Sequence, residues 1–95
     1  MIKVKKNGNR AWVTFTYSPK EDEKKVQITG SWSEWQKEDM KKKKNGDFYI
    51  TKILPVGVIY EFRYFIDDIN WANDEDAMEV HNNFGSTNSA IDLSA

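Results

Sequence analysis

From Arg10 to Ser18 the chain alternates, with Val13, Phe15 and Tyr17 set between Thr14 and Thr16. A period of two sends the two sets to opposite faces, which predicts a half-buried β-strand. Ser18 and Pro19 stop it, and the charged residues 20–25 form a solvated loop with nothing to bury. Lys25 to Thr29 alternates again with Val26 and Ile28 inward, and Gly30 ends this second strand. Gly30-Ser-Trp-Ser-Glu-Trp35 is too polar for a core segment and rich in turn formers, so Trp32 and Trp35 fall on a connection. Residues 36–44 hold four consecutive lysines and no apolar periodicity, and Asn45-Gly46 is the preferred pair for a tight hairpin. An edge strand feeding a hairpin fits, since edge lysines discourage aggregation. Phe48 to Ile53 reads as the return strand and Leu54-Pro55-Val56-Gly57 as a turn. Ile59 to Ile66 carries the strongest strand signal, being β-branched or aromatic almost throughout. Asp67-Asp68-Ile69-Asn70 then turns the chain and presents Trp71; residues 72–89 are rich in Asn, Asp and Ser, and a short strand closes from Ser89. No segment has a useful helical period and no repeat appears. The pattern predicts an all-β, immunoglobulin-like antiparallel β-sandwich of the early-set type, with six to eight strands.

Ninety-five residues make one domain, 1–95. Fourteen Lys and Arg against 15 Asp and Glu leave a net charge of −1, with no overall attraction to nucleic acid or an anionic membrane. Without cysteine there are no disulfides or thiolate zinc sites, and His81 is the sole histidine. Met1 to Lys6 begins like a charged leader, but Asn7, Gly8, Asn9 and Arg10 stand where an apolar stretch would be needed. No apolar run approaches the roughly 20 residues that cross a bilayer, so a soluble, cytoplasmic chain is expected. Four Trp, four Tyr and five Phe exceed what so small a core encloses, so some aromatics must be exposed.

Several candidate chemistries fail on their own requirements. The acidic cluster Asp74, Glu75, Asp76 and Glu79 lacks the central glycine and spaced ligands of an EF-hand loop. Glycoside hydrolysis needs two carboxylates facing across a sugar, and a small sandwich has little cleft to hold them. Lys41 to Lys44 has Glu34, Glu38, Asp39 and Asp47 as neighbours, which cancels a nucleic-acid field. Asn82 to Asn88 lacks the lysine and spacing of a phosphate loop. No metal, cofactor or catalytic residue is therefore expected. Trp35 and Trp71 remain: either they plug the open end of the sandwich, or their flat indoles lie against the C–H face of a pyranose, with Arg, Asn and Ser donating to its hydroxyls.

Gly30-Ser31-Trp32-Ser33-Glu34-Trp35, Leu54-Pro55-Val56-Gly57, Tyr60 to Asp67, Trp71 and Asn83 to Asn88 together resemble family 48 carbohydrate-binding modules over about residues 13–93. That family includes the glycogen-binding domain of AMP-activated protein kinase β subunits and the N-terminal domains of isoamylases and branching enzymes. The resemblance implies that Trp35 and Trp71 stack on glucose, and that Arg63, Ser86 and Asn88 bond its hydroxyls. Phe84 would take the place of a leucine that threads a cyclic glucan, and Trp32 would pack in the core. Departures are Arg63 for lysine, Phe84 for leucine, Glu75 for proline, and a turn before Trp71 one residue longer, which leaves the direction of Trp71 open. Members fused to glycosidases leave catalysis to a separate barrel domain, so the resemblance implies binding without catalysis. Two functions follow from it: binding of an α-1,4-glucan (glycogen, starch or a maltooligosaccharide), or a protein-interaction or regulatory module whose sugar site has decayed. The expected partners are the glucan and a glucan-metabolising enzyme or kinase-like protein.

Overall fold

A computed structural model describes residues 1–82 and 85–94. The chain begins with the hairpin β1 Ile2–Asn7 and β2 Arg10–Tyr17, followed by β3 Val26–Gly30 and a short 3-10 turn, Ser31–Ser33. Two strands of two residues come next, β4 Glu38–Asp39 and β5 Lys41–Lys42, then β6 Phe48–Pro55 and β7 Ile59–Ile66. The last three are β8 Asn70–Ala72, β9 Met78–His81 and β10 Thr87–Asp92. One sheet has the order β1-β2-β6-β5; the other has β4-β3-β7-β10-β9, with β8 added to β7. The pairings are antiparallel throughout. The all-β, two-sheet antiparallel architecture read from the alternation is therefore the architecture of the protein.

Its core lies where the inward sets of the two sheets meet. Ala11, Val13 and Phe15 of β2 are fully buried, as are Ile28 of β3 and Phe62 of β7. Phe15 meets Phe62 edge-on, with ring centroids 4.9 Å apart, and each such ring removed from water contributes roughly 1.5–3 kcal/mol.

Several features depart from the sequence reading, and each has a local cause. The N-terminal residues form β1 because Gly8, at φ 65°, closes a two-residue hairpin onto β2. Ile2 is the only residue of β1 that packs on the core, so alternation gives no sign of the strand. The single edge strand expected over 36–44 is split: β4 pairs with β3 in one sheet and β5 with β6 in the other, with Met40 buried between them. Leu54 and Pro55, expected in a turn, extend β6; Leu54 is buried, and the Pro55 carbonyl accepts the Tyr60 hydroxyl at 2.7 Å. Finally, β9 emerges from the polar stretch 72–89 by pairing with β10.

Candidate functional site

The period of two that buries Tyr60, Phe62 and Tyr64 turns Glu61, Arg63 and Phe65 to the outer face of the second sheet. Gln27 and Thr29 stand opposite Phe65 and Arg63 on β3. Trp71 does not lie on the turn that the sequence suggested. It sits in β8, paired with Phe65, and so points to this same outer face. The two rings are 4.5 Å apart and tilted by 37°. Lys37 Nζ lies 4.1 Å from the Phe65 centroid, and the Arg63 guanidinium 5.3 Å from the Trp71 ring. Trp71 remains 46% exposed, whereas Phe65 beneath it is 9% exposed, so the pair is a platform with a buried floor. The Arg63 Nε is buried without a hydrogen-bond partner.

The longer turn settles the direction of Trp71 through two consecutive left-handed residues, Asp67 (φ 50°) and Asp68 (φ 59°). Asp is among the few non-glycine residues that enter this region readily. The Ile69 amide closes the turn on the Ile66 carbonyl at 3.0 Å. Asp67 Oδ1 accepts from the Lys24 and Lys25 amides, both at 2.8 Å, which anchors the turn to the loop before β3.

Trp35 follows the 3-10 turn, with Glu34 at φ 56° and Trp35 at φ 64°. Its amide reaches back to the Gly30 carbonyl at 2.9 Å, the long return bond of a left-handed helix end. That geometry turns the indole outward, 41% exposed. Among the described residues no ring contact joins it to the Trp71–Phe65 pair. Trp32 packs inward on Phe15, Tyr60 and Phe62, as expected, and donates its indole N–H to Glu38 Oε1 at 3.0 Å. A Cβ on Gly30 would come within 2.5 Å of the Trp32 ring, which explains the glycine beside it.

Asn88 is 7% exposed and donates to Glu61 Oε1 at 3.1 Å. Its carbonyl oxygen accepts from Asn82 at 3.4 Å, and Asn82 also donates to the Ser86 hydroxyl at 2.8 Å. One donor and one acceptor position on Asn88 are thus already used within the protein. Phe84 lies outside the described residues. The site therefore unites Arg63 and Trp71 directly, sets Asn88 and Ser86 in an amide–hydroxyl network beside Glu61, and places Trp35 on a separate turn.

Asp74 has a structural task. Its buried carboxylate accepts the Tyr64 hydroxyl at 2.7 Å and the Asp76 amide at 2.9 Å. Burial and this carboxylate push the Tyr64 phenol far above its ordinary value. Among the described residues no three His, Cys, Asp or Glu side chains converge to hold a metal, and no helix is long and apolar enough to cross a membrane. Phe65, Lys37 and Glu61 were missed as site residues. Parity alone would have found Phe65 and Glu61, since both alternate with the core residues of β7; Lys37 carries no such signal.

Residues 11–95 match the family described as the glycogen recognition site of AMP-activated protein kinase. The regulatory subunit beta-2 of SNF1-related protein kinase from Arabidopsis thaliana is 31% identical over 70 residues, which cover 74% of this chain and 24% of that protein. The chain thus spans about a quarter of the length of the curated relative it matches. The family match starts inside β2 and takes in both sheets and the aromatic platform. With an exposed Trp71 packed on the buried Phe65 of a two-sheet frame and a match over nearly its whole length, the chain belongs to this glycogen-recognition family, whose members are non-catalytic carbohydrate-binding modules.

Proposed function

We propose that the chain binds an α-1,4-glucan, as glycogen, starch or a maltooligosaccharide, across the outer face of its second sheet. The exposed Trp71 ring, floored by Phe65 and flanked by the Arg63 guanidinium, is the observation that carries this reading. Trp71 and Trp35 serve as stacking platforms for two regions of a curved glucan. Arg63, Asn88 and Ser86 bond hydroxyls, and the family resemblance assigns Phe84 a contact with the glucan. Because Arg63 Nε lacks a partner, turning it toward a sugar hydroxyl forfeits no hydrogen bond at that atom. By analogy with aromatic pairs, each stacked ring contributes about 0.5–1.5 kcal/mol beyond area burial. Few contacts on an open face then give dissociation constants on the order of micromolar to millimolar.

Titration of labelled protein with maltoheptaose tests the proposal through backbone amide shifts, which should concentrate at Phe65, Trp71 and Trp35. The half-exposed Trp71 admits a Trp71→Ala variant that stays folded and binds about tenfold more weakly or worse. Amides that stay silent in excess sugar would instead favour the interaction-module reading. The Arabidopsis relative is by name a regulatory subunit of a protein kinase, and on that basis the protein partner is inferred to be kinase-like. Loss of retention on glycogen beads while that partner still co-purifies is the corresponding outcome.

A further inference from the structure

The outer face of the first sheet has a different character. Strand register aligns its outward side chains in rows across β1, β2 and β6. The central row is Lys5, Trp12 and Ile53; on one side lies Lys3, Thr14 and Thr51, and on the other Asn7, Arg10 and Pro55. A fourth row holds Thr16, Tyr49 and Lys41. Each row contains a cation and none contains a carboxylate. Lys43 adds a fifth charge, its Nζ 5.4 Å from the Tyr49 ring. Lys20, Lys25 and Lys52 each hold an ion pair, whereas among the described residues none of these five cations does. In a chain of net charge −1 this is a segregated patch.

Lys3 and Lys5 stand two residues apart on one strand face, at about 7 Å, inside the screening length of roughly 8–10 Å at ordinary salt. Their repulsion is relieved only by anions from outside. Between the charges lie apolar groups open to water: Trp12 is 37% exposed and Ile53 54%. A neutral glucan makes no use of five cations. A nucleic acid would use the charge and the indole but not the aliphatic Ile53, whereas a protein segment uses all three. Lys3, Lys5 and Arg10 also precede residue 11, where the family match begins, so most of this charge lies outside the matched region.

We propose that this face docks an acidic protein segment, with its carboxylates over Lys3, Lys5, Arg10 and Lys41 and an apolar side chain between Trp12 and Ile53. The opposite face remains free for carbohydrate, so the module can join a glucan to an acidic partner. The probe is a synthetic peptide of glutamates interrupted by a central Leu-Phe pair, titrated into the labelled full chain. Amide shifts are expected at Lys5, Trp12 and Ile53 and not at Phe65 or Trp71, and saturating maltoheptaose should leave the peptide affinity unchanged. That readout holds whether or not the sugar site is active. The exposed double variant Lys3→Glu/Lys5→Glu, checked for folding by its amide spectrum, should bind the peptide about tenfold more weakly. Trp12→Thr should weaken binding while preserving its salt dependence. Unchanged binding by the double variant, equal binding of a lysine version of the peptide, or absence of shifts in the first sheet would overturn the proposal. So would tighter binding, at the same amides, of a single-stranded RNA oligonucleotide or of phosphatidylserine vesicles.

Discussion

Trp35 holds a left-handed backbone conformation that costs a residue with a Cβ roughly 1–2 kcal/mol, and 41% of it faces water. Strain of this kind persists where it serves a site. Trp35→Gly should therefore leave stability unchanged or raise it by up to about 1 kcal/mol, while weakening maltoheptaose binding. Urea denaturation and sugar titration on the same variant check both halves. A large loss of stability would instead mean that the indole plugs the sandwich. Tryptophans at 35 and 71 were legible as candidates because neither falls in an alternating apolar run. Trp32, three residues before Trp35 on the same polar connection, was separated from them only by the family resemblance; the structure supplies the reason in its contacts with Phe15 and Phe62.

At the scale of the element, the β7–β8 turn decides where Trp71 points, and its two aspartates do different work. Asp67 secures two backbone amides through its carboxylate, while Asp68 offers an exposed contact to Lys25 at 3.3 Å. Exposed pairs contribute about 0–1 kcal/mol, and glycine removes the left-handed cost. Asp68→Gly should thus be neutral or slightly stabilising, whereas Asp67→Gly should cost about 1–2 kcal/mol by orphaning the two amides. Thermal or urea unfolding separates the two, and equal effects would refute the anchoring role. Strands with one inward face, β2, β3 and β7, were readable because period two is visible whenever alternate residues meet a core. β1 and β9 were not, since lysines and Asn7 occupy most of β1 and the four residues of β9 bury none of their side chains, so that pairing with a neighbour is what makes them strands. The split of 38–42 into β4 and β5 was likewise invisible, because two residues cannot display a period.

For the whole molecule, an ion pair between strands of the two sheets matters. Lys52 of β6 reaches Glu38 of β4, which also accepts the Trp32 indole N–H. Burial alone would raise the Glu38 carboxyl, but the hydrogen bonds from Lys52 and Trp32 and the charge of Lys52 outweigh it and hold it below the usual carboxylate range. A depressed carboxyl stabilises the fold above its unfolded value and loses that contribution as pH falls through its folded one. Glu38→Gln should accordingly destabilise the protein near neutrality and flatten its acid limb, read by urea midpoints across pH. Tyr64 acts at the other end. Burial and Asp74 keep its phenol protonated in the fold, while the unfolded chain ionises near the ordinary 10.0. Its contribution is complete below that value and declines as pH rises past it. Tyr64→Phe should therefore lose stability at neutral pH, by about 1–3 kcal/mol for the buried carboxylate left short of a partner. It should also show a shallower alkaline decline, and an identical alkaline limb in both proteins would contradict the assignment.

The sequence by itself determined the class of fold, the inward sets of β2, β3 and β7, and the identity of the tryptophans worth testing, because each of these follows from local alternation and turn chemistry. Tertiary structure decided what depends on residues distant in the chain: that Phe65 floors Trp71, that Lys37 covers Phe65, that Asp74 serves Tyr64, and that Lys3, Lys5, Arg10 and Lys41 share a face. Strand register is what brings such residues together, and register is set by pairing across the sheets, which a periodic pattern along one strand does not encode. The exposed Trp71 shows the division clearly, since its residue type was readable at once and its direction was fixed only when β8 paired with β7.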